Sequence, residues 1–445
     1  MCIRDSSVTG QSNFVLSKGG SKTFTGLAVG SYTIEELAIP AGWDLKSASC
    51  GKLIDNKTTV TIADGETVTC VFTNLKEKDD RAEDVTKVFI HRRVDNLLTH
   101  GPDRARILRR LEDQDRPGSL KDGGSEALKI TGSAGDGQAE ATFSTSLSQM
   151  RSAAATAANR KFEDAGLALQ DSYSSATPST MKQRLDIWVE GQLTTYDDAT
   201  GGINRNGDFK ILYAGADYAI SPGILIGALV QIDRTDEKID DPTLKGMVAG
   251  TGWMMGPYLG VKLRDNLFFD ARAAWGQSTN DLELRDDVVG ARTGSFETDR
   301  WLASASLTGN YQWGGLRVSP QVGVAYGNEV SDSYLTSLGQ KVDGVDVAIG
   351  RLTFGPEFGY RSTLENGISI EPHLSVKGIW DFYGDELELS TGPVKPDDFR
   401  VQVEGGVTIQ TPDGYSFRAS GSYDGLGDKD LEAWTAKAGV NIPLR

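Results

Sequence analysis

In residues 301–313 every second position is Trp301, Ala303, Ala305, Leu307, Gly309, Tyr311 and Trp313. The positions between them are Leu302, Ser304, Ser306, Thr308, Asn310 and Gln312. That period of two is the side-chain period of a strand, with one apolar face and one mostly polar face. Gly314-Gly315 follows, a pair that tolerates the left-handed backbone of a tight hairpin turn. The chain returns with Leu316, Val318, Pro320, Val322, Val324 and Tyr326 on one face. Aromatic residues sit at both ends of the first apolar face and at the far end of the second. A sandwich would hide that face in a core and has little reason to put Trp and Tyr at its rims. A transmembrane β-barrel turns the face to lipid, rings both interfaces with aromatics and leaves the lumen polar.

The unit repeats. Twelve candidate strands lie near residues 185–196, 209–220, 224–233, 247–263, 267–280, 300–313, 316–328, 347–363, 368–382, 399–411, 415–423 and 431–444. Short turns at 221–223, 264–266, 314–315, 365–367 and 412–414 alternate with longer acid-rich segments at 233–245, 281–299, 328–346 and 384–398, which read as loops. Short turns alternating with long loops, and an even strand count, are the rhythm of outer-membrane barrels. Closure is required because an open sheet edge is not tolerated in lipid. It is expected between the strands near 185–196 and 431–444, with Glu190 and Lys437 at similar heights across the seam. The predicted fold class is therefore mainly β: a 12-stranded antiparallel transmembrane barrel, preceded by a helical linker and a small β-sandwich.

The period assigns a set of residues to the lumen: Trp188, Glu190, Asp270, Arg272, Arg317, Arg351, Glu357, Arg361, Glu371, Lys377, Arg400, Glu404, Arg418 and Lys437. Isolated charges in a narrow space are costly, so their mixed signs predict paired networks or water. His373 falls in the same set and reads as a polar lumen residue in preference to a metal ligand.

The 445 residues suggest two or three domains. A net charge of −16 argues against a general nucleic-acid binder, which needs a basic surface. No apolar run approaches the 18 or so residues of a membrane helix, and a mean hydropathy of −0.32 is compatible with strands that show lipid only half their residues. Three Cys and three His are too few for a convincing zinc constellation. No G-x-S-x-G elbow, H-E-x-x-H or P-loop is found, so neither an enzyme nor a cofactor is expected. Residues 1–6 have no apolar core of a signal peptide, and the chain reads as truncated at its N-terminus.

Residues 7–75 alternate short β-branched runs with turns. The order GSYTIEE (30–36), PAGW (40–43), Cys50, then a hairpin ending in TVTCVFTN (67–74), resembles the prealbumin-like, Cna-B-type sandwich modules of bacterial surface proteins. The resemblance implies a stalk or adhesive module. Cys50 and Cys70 form a disulfide if it enters an oxidising compartment; the alternative is two buried thiols. Residues 76–183 read as linker. Val85, Phe89, Val94, Leu97 and Leu98 predict a helix that Gly101-Pro102 ends, and an Arg-rich second helix follows over 103–111. Arg92, Arg93, Arg104, Arg106, Arg109 and Arg110 read as a solvated helix face in preference to a nucleic-acid or lipid-headgroup patch. Residues 115–137 read as flexible. An alanine-rich helix over 146–170 is slim enough to be the expected lumen plug.

A C-terminal barrel over 184–445, an alanine-rich helix and a surface-type module together resemble the type V autotransporter family. The local marks are the run Leu185-Asp186-Ile187-Trp188-Val189-Glu190-Gly191 and the end Ala438-Gly439-Val440-Asn441-Ile442-Pro443-Leu444-Arg445. Two departures are the absence of a terminal aromatic residue and of the Asn-Asn pair that some members cleave, Asn159 being followed by Arg160. The resemblance implies a translocator that carries its N-terminal passenger to the cell surface, with a linker helix threading the pore. The partners it implies are outer-membrane lipid, the barrel-assembly machinery and a host or other cell-surface ligand, with no nucleic acid. The other readings are a diffusion porin and a barrel-anchored adhesin without self-translocation.

Overall fold

The computed structural model describes residues 4–16, 19–37, 39, 43–76, 78–113, 126–135, 138–151, 184–287, 289–384, 386–394, 398–412, 415–426 and 433–443. In the N-terminal module, strands Phe14–Leu16, Arg4–Val8, Gly30–Glu36 and Lys57–Ile62 pair in that order, and Trp43–Ala48 pairs with Phe72–Lys76. Cys50 and Cys70 are joined as a disulfide between the two sheets' connections, with Cα atoms 4.9 Å apart.

The C-terminal body is a closed antiparallel barrel. Its strands are β1 (Glu126–Gly135), β2 (Gln138–Ser146), β3 (Leu185–Asp198), β4 (Arg205–Ser221), β5 (Ile224–Asp240), β6 (Lys245–Arg264) and β7 (Leu267–Asp286). The rest are β8 (Gly290–Gly309), β9 (Leu316–Ser331), β10 (Asp346–Tyr360), β11 (Ser369–Tyr383), β12 (Phe399–Gln410), β13 (Ser416–Leu426) and β14 (Ala433–Pro443). The barrel thus has 14 strands, not 12. The extra hairpin comes from the linker: β1 from the stretch read as flexible, 115–137, and β2 from the residues just after it. It sits between β14 and β3, with Val440 opposite Ile130 and Ser144 opposite Glu190. The expected direct seam between the strands near 185–196 and 431–444 is therefore replaced. Pairing of Glu190 with Lys437 is replaced too, because each has another partner described below.

The outward faces explain both the lipid band and a second difference. Trp301 and Trp313 are 58% and 61% exposed, while Leu302 between them is 3% exposed. Ten residues separate Trp301 from Tyr311. At about 3.3 Å per residue and a tilt of about 40°, they span a band of about 25 Å, the height of an outer-membrane barrel's apolar belt. Trp253 meets Trp275 edge to face at 5.2 Å, and Trp275 meets Trp301 at a tilt at 6.5 Å, so the three rings on adjacent strands mark its upper rim. Above that rim the outward positions of β7 become Gln277, Thr279, Asp281, Glu283 and Arg285, and those of β5 become Arg234, Asp236, Lys238 and Asp240. The acid-rich stretches expected as loops at 233–245 and 281–299 are thus mostly strand. They carry charge outside because they stand in water above the lipid.

Their inward faces carry an apolar core interleaved with buried polar anchors. Ile239, Val248, Leu282, Leu284, Phe296, Val347 and Ile349 form a core there. What fills it is helix α1 (Asp80–Thr99), through Ala82, Val85, Phe89, Ile90 and Val94, one stripe at helical spacing. Asp79 caps α1 by accepting from the Ala82 amide at 3.0 Å. Gly101-Pro102 breaks it, and helix α2 (Arg104–Asp113) continues toward the short-turn end, with Asp103 accepting from the Ala105 amide at 2.9 Å. There Ile107 and Leu111 pack among Trp188, Phe209, Leu225 and Phe268. Among the described residues no helix is long and apolar enough to cross a membrane.

Candidate functional site

The lumen is the chemically distinctive part of the molecule, and α1–α2 thread it from the upper to the lower end. The helices are held by ion pairs to the wall at successive heights. At the top, Arg292 bridges Asp79 and Asp286. Lys78 binds Glu83 at 2.7 Å and Asp343 at 3.1 Å, tying the first turn of α1 to an upper loop. The hydrogen bond to Glu83 holds the Lys78 ammonium above its usual range. Several turns lower, Arg92 pairs with Asp198 and lies 3.3 Å from Glu237. Arg93 pairs with Glu329 through two nitrogens, and its third donates to Asn280 Oδ1 at 2.6 Å. Both side chains of that pair have no exposure at all. Arg351 reaches Asp95 at 2.7 Å, Asp381 at 2.6 Å and Thr99 Oγ at 2.9 Å. Below the helix break, Glu190 accepts twice from the Asp103 amide, at 2.9 and 3.0 Å, and Arg104 binds Asp270 at 2.8 Å. Arg106 and Arg110 both bind Asp217, at 2.6 and 2.9 Å. Arg106 also lies 4.2 Å over the Trp188 ring, whose indole N–H donates to Tyr258 at 2.8 Å.

Arg92, Arg93, Arg104, Arg106 and Arg110 are therefore neither a solvated face nor a patch for anionic polymers, whereas Arg109 lies 3.8 Å from Asp103 of its own segment with its side chain 36% exposed. Those five face the lumen because a ring of buried carboxylates waits there, and a paired guanidinium is the least costly charge to bury.

The other residues assigned to the lumen fall in two groups. Arg272 lies against Gly101 and 5.9 Å from the Tyr213 ring. Away from the helices, Arg317 bridges Glu357 and Glu371, at 2.7 and 2.8 Å, and Arg361 binds Glu371 at 2.9 Å. Glu404 binds Lys437 at 3.0 Å with Arg418 at 3.6 Å, and Arg400 lies 3.4 Å from Asp424. Lys377 has no carboxylate within ion-pair distance among the described residues. His373 is buried 3.9 Å from Glu404, and the described residues contain no cluster of three or more metal-ligating groups.

Several anchors are absent from that set: Asp217, Glu329, Arg292 and Asp198. Asp217 carried a signal, being in phase opposite the lipid-facing Leu212, Ala214, Ala216 and Tyr218. Glu329 and Arg292 fell in segments read as loops. The helix expected to plug the lumen, 146–170, lies mostly outside the described residues; Ser146 itself ends β2.

With this geometry in view, the family described as the autotransporter beta-domain matches residues 187–422. The chain belongs to the autotransporter β-domain family. Its barrel is accordingly an outer-membrane autotransporter barrel of a bacterium. A prealbumin-like fold domain matches residues 5–76. Among solved structures, the autotransporter shares 19% identity with the β domain of the Bordetella autotransporter Brka, over 58% of this chain and 98% of that one, at a TM-score of 0.42. The translocator domain of the autotransporter NalP from Neisseria meningitidis shares 14% identity, over 66% and 97%, at 0.42. The transport unit of the autotransporter AIDA-I from Escherichia coli shares 11%, over 76% and 97%, at 0.35. No match is found among curated proteins.

Proposed function

We propose that the chain is a translocator that displays its own N-terminal β-module on the cell surface and stays threaded through its barrel by α1–α2. The observation that carries this reading is the direction of the thread. Asp79, immediately after the module, sits at the upper end beside Arg292, and α2 ends beside Phe268 and Leu225 near the short turns. Short turns face the periplasm in this class of barrel, so the module emerges outside. The disulfide suits a module that crosses an oxidising compartment. The aromatic rims suit outer-membrane lipid, the fold suits insertion by barrel-assembly machinery, and a surface module suits a host or cell-surface ligand. A diffusion porin fits less well, because porins keep an open channel and this lumen is crossed by two packed helices.

The test is protease shaving of intact cells that express the full chain. The module is expected to be removed while the barrel persists in the membrane fraction. A module that is cut only after the outer membrane is permeabilised overturns the proposal.

A further inference from the structure

The apolar stripe of α1 leans on the wall, and Asp84, Lys87 and Val88 lie on the opposite side of the helix at 3.6 residues per turn. Two surface hairpins reach over the helix, and they are fastened differently. The first, Tyr334–Leu335 with Lys341–Val342, belongs to the β9–β10 loop. It is tied to the wall. The Ser337 amide donates to the Thr293 carbonyl at 2.7 Å, the Thr293 amide donates to Ser337 Oγ at 3.0 Å, and the Tyr334 ring stacks on Phe296 at 5.1 Å.

The second, Leu387–Leu389 with Gly392–Val394, belongs to the β11–β12 loop, and its strands pair with each other alone. It leaves the wall at Gly384, whose φ of +77° and close approach to the Ala348 carbonyl fix its root. The ribbon has two faces. Glu386, Glu388, Ser390 and Pro393 are exposed, whereas Leu387 and Leu389 are buried. What buries them is Val88 of α1, with Val394 alongside, in a small cluster separate from the core between α1 and the wall. The polar contacts follow the same rule. Ser390 donates to the Asp84 carboxylate through its amide, at 2.9 Å, and through its hydroxyl, and Lys87 Nζ donates to the Glu388 carbonyl at 2.9 Å. Among the described residues, every hydrogen bond the ribbon of residues 386–394 makes beyond itself goes to α1.

A ribbon held only by the helix it covers has no reason to lie closed without that helix, since Leu387, Leu389 and Val394 would then face water. Occupancy of the seat and closure of the ribbon are one coupled equilibrium. The contacts also read conformation. Asp84, Lys87 and Val88 are spaced i, i+3, i+4, and such residues share a face in a helix but not in an extended chain. We propose that residues 386–394 are a strap that stands open over an empty or extended thread and closes on α1 once it has folded into its seat. On the translocator reading, on which this timing rests, the strap lets the unfolded chain pass and closes the outer mouth last.

The experiment is amide hydrogen exchange, followed by mass spectrometry, on the purified full chain in detergent. Asp84→Ala combined with Val88→Ser removes the strap's anchors and leaves the wall-facing stripe in place. Exchange in residues 386–394 is expected to rise about tenfold or more, a factor that the loss of one hydrogen bond to a charged group supplies. Peptides from β10 and β11 are expected to keep their wild-type rates. Leu389→Ser, on the strap itself, is expected to act in the same way and serves if the α1 variant does not fold. Phe89→Ala touches the wall and not the strap, yet it loosens α1 and is expected to accelerate the strap too. A wild-type strap that exchanges at the intrinsic rate, or one unmoved by the anchor variants or by Phe89→Ala, overturns the proposal. Failure of the translocator reading shows elsewhere, as a module that protease cannot reach on intact cells, whereas strap exchange in the purified chain is the same whichever side the module faces.

Discussion

Replacing Arg93 by Met keeps most of the side-chain volume and removes the charge, so its effect can be worked from the contacts. Arg93 and Glu329 are both fully buried and bidentate, with Asn280 completing the guanidinium's hydrogen bonds. Removing one partner of such a pair leaves an uncompensated charge and costs about 3–5 kcal/mol. Glu329 retains two neutral donors, the Thr298 hydroxyl at 2.5 Å and the Ser278 hydroxyl at 3.3 Å, each worth about 1 kcal/mol. The net penalty is then about 1–3 kcal/mol, or about one to two decades in the equilibrium between a seated and an unseated plug. The barrel wall's own hydrogen-bonded ladders are untouched, so the penalty falls on the seating of α1. Arg93→Met should raise conductance in planar bilayers while the temperature of gel heat-modification moves little. The double variant Arg93→Met, Glu329→Gln removes the stranded charge and should recover most of the loss. Wild-type conductance in the single variant, or a double variant as leaky as the single one, refutes the view that this pair retains the plug.

Thiol labelling of the denatured, unreduced protein should modify Cys2 and neither Cys50 nor Cys70, and replacing both bridged cysteines with Ala should cost the module about 3 kcal/mol, given their separation of 20 residues. Burial would raise the carboxyl of Glu83, but hydrogen bonds from Lys78 and Lys87 outweigh it and hold the carboxyl below its usual value of 4.5. Its contribution is therefore complete above about pH 4.5 and lost as acid protonates it, whereas the raised Lys78 is lost only in strong alkali. Hydrogen exchange of the first turn of α1 should accelerate below about pH 4, beyond the intrinsic rate, and Lys78→Gln should weaken that dependence; an acid-independent protection factor in the wild type refutes it. A fragment that starts at residue 126 should fold in detergent with heat-modifiable mobility, whereas one that starts at residue 184 leaves an edge of β3 and an edge of β14 unpaired and should not. Equal heat-modifiability of the two fragments would show that the β1–β2 hairpin is dispensable for closure.

Much of the barrel was legible because lipid imposes a sharp contrast between neighbouring positions. In β5, Ile224, Ile226, Val230 and Ile232 alternate with Leu225, Leu229, Gln231 and Asp233, and no other environment asks for that outward face. The β1–β2 hairpin lacks the contrast. Its outward positions include Gly132, Ala134, Ala139 and Ala141, and its inward ones Thr131, Ser133, Thr142 and Ser144, residues too alike in hydropathy to show a period. Only Ile130 and Phe143 stand out, each 41% exposed. The plug's anchors were legible as charges but not as pairs. Arg93 and Glu329 are 236 positions apart, and Asp95 and Arg351 are 256, so nothing local links them.

The upper strands were misread for a more instructive reason. A rule that puts apolar residues outside holds only where the outside is lipid. Above the rim marked by Trp275 the solvent changes, and the same strand reverses its faces: Asp281, Glu283 and Arg285 turn out, while Leu282 and Leu284 turn in. That reversal gives the barrel two interiors. The upper one is a largely apolar seat, pinned by the buried pairs of Arg292 and Arg93, that grips the first half of α1. The lower one, at the height of the membrane, is apolar where Ile107 and Leu111 pack among Leu225 and Phe268, and polar on the side of a cavity that Lys377 lines. Retention should therefore respond to substitutions in the upper core, such as Phe89→Ala, and not to Lys377→Gln beside the cavity. Phe89→Ala is expected to raise planar-bilayer conductance, and a Lys377→Gln variant that raised it equally would contradict that separation.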